Sequence, residues 1–482
     1  MKLIKQFFLL IFFALFIFSS CKKDVLLTDS SAKLSFSTDE VLFDTVFTTV
    51  GSTTKIFRII NPHSQKINIS KIFLAGGNNS QYRINVDGVS GKSFNDVEIM
   101  GGDSLFVFVQ VTVNPTGVNS PLLIKDSVIF ETNGNIQHVR LTAVGQDVYL
   151  HKPDHFSTTG FPPYSIINCN DNWVNDKPHL IFGYAVVDSA CSLTIQAGTR
   201  VYLNNGAVLW VYNGATLVIN GAKGNEVTFQ GARLEPDYKE IPGQWGKIWL
   251  SAGSKNNVID WAVIKNGSIG VQADTIGAST NPTLQITNTI IKNMSAAAIF
   301  GQGSFIRSYN CVFANCGQYV AALTIGGKYK FEQCTFANYW NGSTQRTTPL
   351  LALSNYYKDI NGTIQIRDLD SAYFGNCIMY GNLDEEVGLD SSTFGGNFKY
   401  KFDHCLVKTA LNIADGVHYN TVYKNNDPGF IDVTVNNYQL TPTSFAIDKG
   451  DTGIIIGKDL NNKDRPNSSI TSIPDLGAYE YY

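Results

Sequence analysis

The chain has 482 residues, enough for two or three domains and an ample core. A formal net charge of −3 excludes the basic field on which nucleic-acid binding depends. Only 16% of residues are charged, and Gly, Asn, Thr and aromatics take their place, the composition of an all-β chain with many turns.

The first element, MKLIKQFFLLIFFALFIFSSC, carries two lysines, an apolar run from Phe7 to Phe18, small Ser19 and Ser20, then Cys21. That run is too short for a permanent membrane-spanning helix and suits the core of a signal peptide over residues 1–20. Small residues abutting a cysteine resemble the bacterial lipoprotein signal, with Phe18 where Leu is usual. The resemblance implies lipidation of Cys21, a membrane partner through that lipid, and a place on the outer membrane at the cell surface or its periplasmic face. Each buried methylene of an acyl chain contributes about 0.8 kcal/mol, so several chains anchor durably. An ordinary secretory signal with a chance cysteine is the alternative. Residues 21–31 follow as a polar tether.

Residues 32–147 read as short alternating strands, among them KIFRI, KINI, SLFVFV and DSVIF, punctuated by Gly, Asn and Pro. About seven strands in about 110 residues fit a β-sandwich of immunoglobulin-like size. The wording FDTVFTTVGSTTKIFRIINPHSQKINISKIFL resembles the Ig-like domains that open many outer-envelope lipoproteins of Gram-negative bacteria. The resemblance implies a spacer, and no nucleophile, base or metal cluster is visible there.

A Pro-rich linker over 148–164 precedes a different rhythm. In LTIQAGTRVYLNNGAVLWVYNGATLVINGAKGNEVTFQG, Gly198, Gly206 and Gly214 recur every eight residues between short strands. Farther on, Trp261, Thr289, Cys311, Cys334, Cys377 and Cys405 occupy equivalent places, at steps of 28, 22, 23, 43 and 28 residues. Coils of this length with three strands each predict a right-handed parallel β-helix over 165–440. About eleven coils stacked at ~4.8 Å would give a rod of roughly 50 Å. The 43-residue step is expected to hold an insertion rather than an extra coil. Residues 441–482 are expected to cap the last coil.

The residue before each repeat position is Asp260, Asn288, Asn310, Gln333, Asn376 or His404, which suits a turn in the left-handed conformation with stacked amides. On this phase the cysteines face inward, while Gln285, Arg307, Lys330, Tyr373 and Lys401 face outward. Setting Cys21 aside leaves seven cysteines, an odd count that no complete disulfide framework allows. A reduced interior ladder is expected, with a disulfide or a metal clip as alternatives. Cys169 and Cys191 make the best disulfide candidate, and Cys316 has no repeat partner.

Two loops bracket the strand at Leu351, Tyr339 to Pro349 before it and Ser354 to Asp370 after it. Insertions in repeat proteins gather on one face, often the binding face. They carry Tyr339, Trp340, Arg346, Tyr356, Tyr357, Arg367 and Asp368, with Lys358 and Asp370. Aromatic faces beside Arg and Asp groups suit a sugar, which offers apolar C–H faces and fanned hydroxyls. The alternative is that these aromatics pack the loops onto the coils.

The segment GTRVYLNNGAVLWVYNGATLVINGAKGNEVTFQG, followed by PGQWGKIWL, resembles right-handed β-helix proteins of the pectin-lyase-like superfamily. The ending, with Asp475-Leu476-Gly477-Ala478-Tyr479-Glu480, resembles a terminal segment shared by many secreted bacterial β-helix proteins. This resemblance implies architecture, because the fold hosts lyases, hydrolases, epimerases, adhesins and inert rods. The hydrolase strings Asn-Thr-Asp, Asp-Asp and Gly-His-Gly are absent. A lyase needs a cation for the uronate carboxylate and a base for the C5 proton, often with Ca²⁺. Arg307 and Lys330, 23 residues apart, are the candidate pair, and Asp384-Glu385-Glu386 is a weak candidate for Ca²⁺. Otherwise no cofactor or metal is expected. The expected function is a non-catalytic module binding a polysaccharide or another surface partner, with a polysaccharide lyase as the alternative.

Overall fold

A computed structural model describes residues 25–117, 121–158, 160–275, 281–454, 456–467 and 472–482. Cys21 and the expected signal peptide lie outside the described residues. The described chain is nearly all β, with no α-helix among those residues, and it divides into two units, Met1–Asp147 and Val148–Tyr482.

The N-terminal unit is a β-sandwich of two five-stranded sheets. One contains Ser35–Phe36, Lys55–Ile60, Ser104–Val111, Tyr82–Val86 and Val89–Gly91; the other contains Glu40–Phe47, Asn135–Gln146, Leu122–Thr132, Ile67–Leu74 and Ser93–Ile99. Pairing is antiparallel except between Asn135–Gln146 and Glu40–Phe47, which run parallel. Alternation along each strand places Phe57, Ile59, Ile69, Val107, Val109, Phe130 and Leu141 between the sheets. The buried Tyr82 hydroxyl donates to the Ile124 carbonyl at 2.9 Å, so its burial leaves no orphan polar group.

The second unit is a right-handed parallel β-helix of three sheets, with eleven, nine and ten strands in coil order. Its first strand, Tyr149–His151, pairs in parallel with His179–Ile181, inside the span expected as a linker. The 43-residue step is an insertion: Thr335–Asn338 pairs directly with Ile378–Gly381.

The repeat positions fall as expected from Thr289 onward and slip by one before it. Ala262, not Trp261, aligns with Thr289, because Asp260 pairs with Thr287. Trp261 instead takes the left-handed corner (φ 49°) shared by Asn288, Asn310, Gln333, Asn376 and His404. The amides stack: Asn310 Nδ2 donates to Asn288 Oδ1 at 2.6 Å, and Asn288 Nδ2 to Asp260 Oδ1 at 2.8 Å.

The geometry also explains why cysteine recurs. The left-handed corner leaves the carbonyl two residues before each repeat position within reach of its side chain. Thr289 Oγ1 donates to Thr287 O at 2.7 Å, and Cys311, Cys334 and Cys377 donate to Tyr309, Glu332 and Gly375 at 3.2, 3.3 and 3.2 Å. A small, buried, weakly polar donor fits there, so Thr and Cys interchange. Burial pushes the thiols of Cys311 and Cys377 up, which keeps them protonated. Cys316, expected to lack a partner, pairs with Met294 and closes a second corner, where Asn315 Nδ2 donates to Asn293 Oδ1 at 2.7 Å. Cys169 and Cys191 are joined in a disulfide, with Cα atoms 4.8 Å apart.

The C-terminal segment departs from expectation. Instead of covering the last coil, it runs along the outer face of the first sheet. That face is apolar: Val312, Ala314 and Ala337 are covered by Tyr438, Leu460 and Ala478, and Ile378 and Leu406 by Leu440, Ala446 and Leu476. A sheet apolar on both faces needs a second layer, and the tail supplies it. Lys223 Nζ donates to Leu460 O at 2.9 Å, so the tail reaches back to an early coil. Leu411, Tyr419 and Val422 are partly buried and pack against the β-helix core.

Candidate functional site

The outward face of the third sheet gathers the expected catalytic pair. Arg307 and Lys330 are register partners on the adjacent strands Phe305–Tyr309 and Gly327–Glu332. Tyr373 and Lys401 continue the row on Leu369–Gly375 and Phe398–Asp403. Strand alternation turns these side chains outward while Ile306, Ser308, Phe331, Phe374 and Phe402 turn inward. A groove of about 360 Å³ lies over Phe305, Arg307, Lys328, Lys330, Ser371 and Tyr373.

Each of the two cations lies near an aromatic ring. Arg307 lies 5.2 Å from the Phe305 ring centroid, and Lys330 5.8 Å from that of Tyr373. Carboxylates answer them two residues along the same strands: Lys330 pairs with Glu332 and Lys401 with Asp403, both at 2.8 Å. Asp403 also accepts from Tyr373 Oη at 3.3 Å and Asn420 Nδ2 at 2.6 Å. Sequence reading missed these acceptors, although Lys-Phe-Glu and Lys-Phe-Asp at period-2 spacing on one face carried the signal. Burial and the charges of Asp403 and Glu332 raise the pKa of Tyr373, so its hydroxyl stays protonated.

The insertion loops disperse the expected ligand-binding set. Arg346, expected to face a ligand, is buried; its guanidinium grips Glu386 at 2.6 and 2.7 Å and donates to Asn382 Oδ1 at 2.6 Å. It ties the loop before Leu351 to the next coil. Trp340 is buried, with its indole N–H on Thr344 O at 2.8 Å, and Tyr339 packs among Phe430 and Tyr438 of the tail. These three side chains build the loop.

The second loop is a hairpin of Tyr356–Lys358 and Ile364–Ile366. It leads into Leu369–Gly375, a strand of the third sheet. Tyr356 Oη donates to Asp390 at 2.8 Å, Tyr357 is half-buried, and Arg367 and Asp368 are exposed, with Asp368 Oδ1 accepting from Asn397 N at 2.7 Å.

The expected Ca²⁺ loop is built differently. Glu386 is paired with Arg346, and Glu385 accepts from Thr409 Oγ1 at 2.7 Å and Ala410 N at 2.9 Å, so Asp384 is left as its exposed carboxylate. Ligand atoms of Asp403, His404 and Asp451 lie within 4.8 Å of one another. Both Asp403 oxygens already accept hydrogen bonds, Oδ2 from the Lys401 ammonium at 2.8 Å and Oδ1 from Asn420 Nδ2 at 2.6 Å. That donor set fits a cation poorly.

A family model described as a right-handed beta helix region matches residues 164–336. No curated protein matches the chain. Among solved structures, the chain is similar to the catalytic unit of a thermostable GH87 alpha-1,3-glucanase from Streptomyces thermodiastaticus at 8% identity, covering 77% of this chain and 88% of that one, with a TM-score of 0.21. A GH87 alpha-1,3-glucanase catalytic domain in complex with tetrasaccharides is similar at 10% identity, covering 74% and 82%, with a TM-score of 0.22. The periplasmic chaperone SfaE is similar at 11% identity over 24% of this chain, with a TM-score of 0.18, and the chain spans 58% of its length. Such low similarities add nothing to the chemistry of the site. The fold defines the second unit as a right-handed parallel β-helix, and the chemistry rests on its own residues.

Proposed function

We propose that the chain is an envelope protein, anchored through lipid on Cys21, whose β-helix binds an acidic polysaccharide without turning it over. The observation that carries this reading is the row Arg307, Lys330, Tyr373 and Lys401 in register on one outward face. Cations beside aromatic rings offer a carboxylated sugar both charge and an apolar surface. Turnover by β-elimination needs a base for the C5 proton. Tyr373 is held protonated and Lys330 is paired with Glu332, so both are better placed to bind than to abstract. The outer membrane, with the β-helix at the cell surface, is the proposed location.

The test is to incubate the purified chain with polygalacturonate, alginate and hyaluronan, measuring binding and unsaturated product together. Saturable binding without product, weakened about tenfold or more by Arg307→Ala or Lys330→Ala, is expected. Product that disappears in either variant would establish the lyase reading instead.

A further inference from the structure

The second sheet carries a separate aromatic feature, far along the chain from the cationic row. Its outward row reads Ile166, Val186, Trp210, Trp249 and Gln272, one residue per coil. The indoles of Trp210 and Trp249 stack with centroids 4.8 Å apart and planes 8° from parallel. Their N–H groups are both engaged, Trp210 by the Ser251 hydroxyl and Trp249 by Asp274 Oδ2 at 2.6 Å. Pinned in this way, Trp210 is only 7% exposed and forms the floor of the feature rather than an open platform.

The ladder changes size abruptly between Val186 and Trp210. Trp249 stacks on one side of Trp210, and Val186, itself only 6% exposed, is its smaller register neighbour on the other. A slot of about 330 Å³ results, bounded by Phe161, Tyr164, Ile166, Trp210, Tyr212 and Asp188. Phe161 stands over the open side, its ring stacked on Trp210 at a centroid distance of 5.9 Å, wider than the Trp–Trp contact. Pro162 and Pro163 follow Phe161 and restrict the backbone that presents it. Phe161, Ile166 and Tyr212 remain 53%, 46% and 41% exposed, an apolar cluster that solvated coils do not need. Tyr212 meets Trp210 edge-on at 5.4 Å, and Asp188, exposed, brings a carboxylate to the rim one row over.

We infer that this slot binds a neutral pyranose of a glycan chain, as a site independent of the cationic row. A pyranose ring has the right size for the volume. Its C–H face matches the exposed aromatic carbon of Phe161 and Tyr212, and vicinal hydroxyls match a carboxylate acceptor. Asp188 disfavours an acidic sugar, so the two faces of the β-helix select different chemistry. A macromolecular partner would meet a concavity too small for its side chains to enter in number.

The experiment uses the full chain and follows tryptophan fluorescence during titration with cello-, malto-, laminari-, manno- and galacto-oligosaccharides of two to six residues. At least one series is expected to give a saturable change, weakened about tenfold or more by Tyr212→Ala and by Asp188→Asn. Ile166→Trp, which fills the slot from an exposed position of the same row, is expected to abolish the response without lowering the melting temperature. Arg307→Ala is expected to leave it unchanged, which separates this site from the acidic-glycan reading. No response to any series, or a response that survives Ile166→Trp, would overturn the inference. So would a response lost in Arg307→Ala.

Discussion

Single residues in this chain are chosen by the corner each coil must turn. Asn310 holds φ 59°, a conformation that costs most L-residues about 1–2 kcal/mol, and its amide bonds to the previous rung. Asn310→Ala is expected to cost about 2 kcal/mol, from left-handed strain plus a lost hydrogen bond. Asn310→Gly should cost less, because it removes only the second contribution; chemical denaturation of both variants checks this, and equal losses would refute it. The cysteines behave as corner donors rather than reagents. Among the described residues five free cysteines are buried, so native protein carrying Cys21→Ser is expected to be inert to a thiol reagent and to release five reactive thiols on denaturation in the absence of reductant. Any rapid reaction in the native state would contradict the reduced, sealed ladder.

At the scale of elements, the insertion before Leu351 depends on a buried ion pair. Arg346→Ala leaves Glu386 without its counter-charge in a buried site and is expected to destabilise by about 3–5 kcal/mol. Arg346→Met combined with Glu386→Leu should recover most of that loss, which thermal melts of the single and double variants would show. The tail is held by a comparable arrangement. Gly477 adopts φ 88° and donates to Asn376 O at 2.8 Å; a Cβ there would lie 2.6 Å from Thr335 Oγ1. Asp475 accepts from Asp448 N and Tyr481 N at 2.8 and 2.7 Å, and Glu480 pairs with buried Arg465 at 3.3 Å. The Asp-Leu-Gly-Ala-Tyr-Glu string is thus a clasp on the flank of the coils. Gly477→Val is expected to release the tail, exposing Val312, Ala314 and Ala337, and hydrogen exchange on Val312–Cys316 would report it.

Across the β-helix, stability should depend on pH through its first coils. His179, His151 and Trp173 pack against one another, with His179 4.0 Å from Trp173, His151 4.8 Å from Trp173 and the two histidines 5.3 Å apart, and His151 Nε2 lies 3.0 Å from His179 Nδ1. Burial lowers His151 to about 4 and His179 to about 3, with Asp171 and Asp176 opposing weakly. Unfolded histidine titrates near 6.5, so the unfolded chain takes up more protons below that pH. The stabilisation is therefore full above about pH 6.5 and is lost as pH falls toward 4, by on the order of 3 kcal/mol for each histidine. Denaturation midpoints across that range, compared with His179→Gln, would test it; an unchanged slope in the variant would rule these histidines out.

The sequence by itself determined the coil. Asn, Thr and Cys at fixed spacing, with alternating inward apolar residues, follow from local corner geometry and strand period, and these repeat wherever the chain closes a turn. The outward pairing of Arg307 with Lys330 was legible for the same reason. Only the tertiary structure decided the path of residues 430–482, because the apolar outer face of the first sheet exists only once coils have stacked. It also decided that Arg346 and Trp340 turn inward, since loop residues carry no period that says which way they point. The slot beside Trp210 belongs to that second class: a Val-to-Trp step 24 residues apart in sequence becomes a cavity only when stacking sets the two side by side.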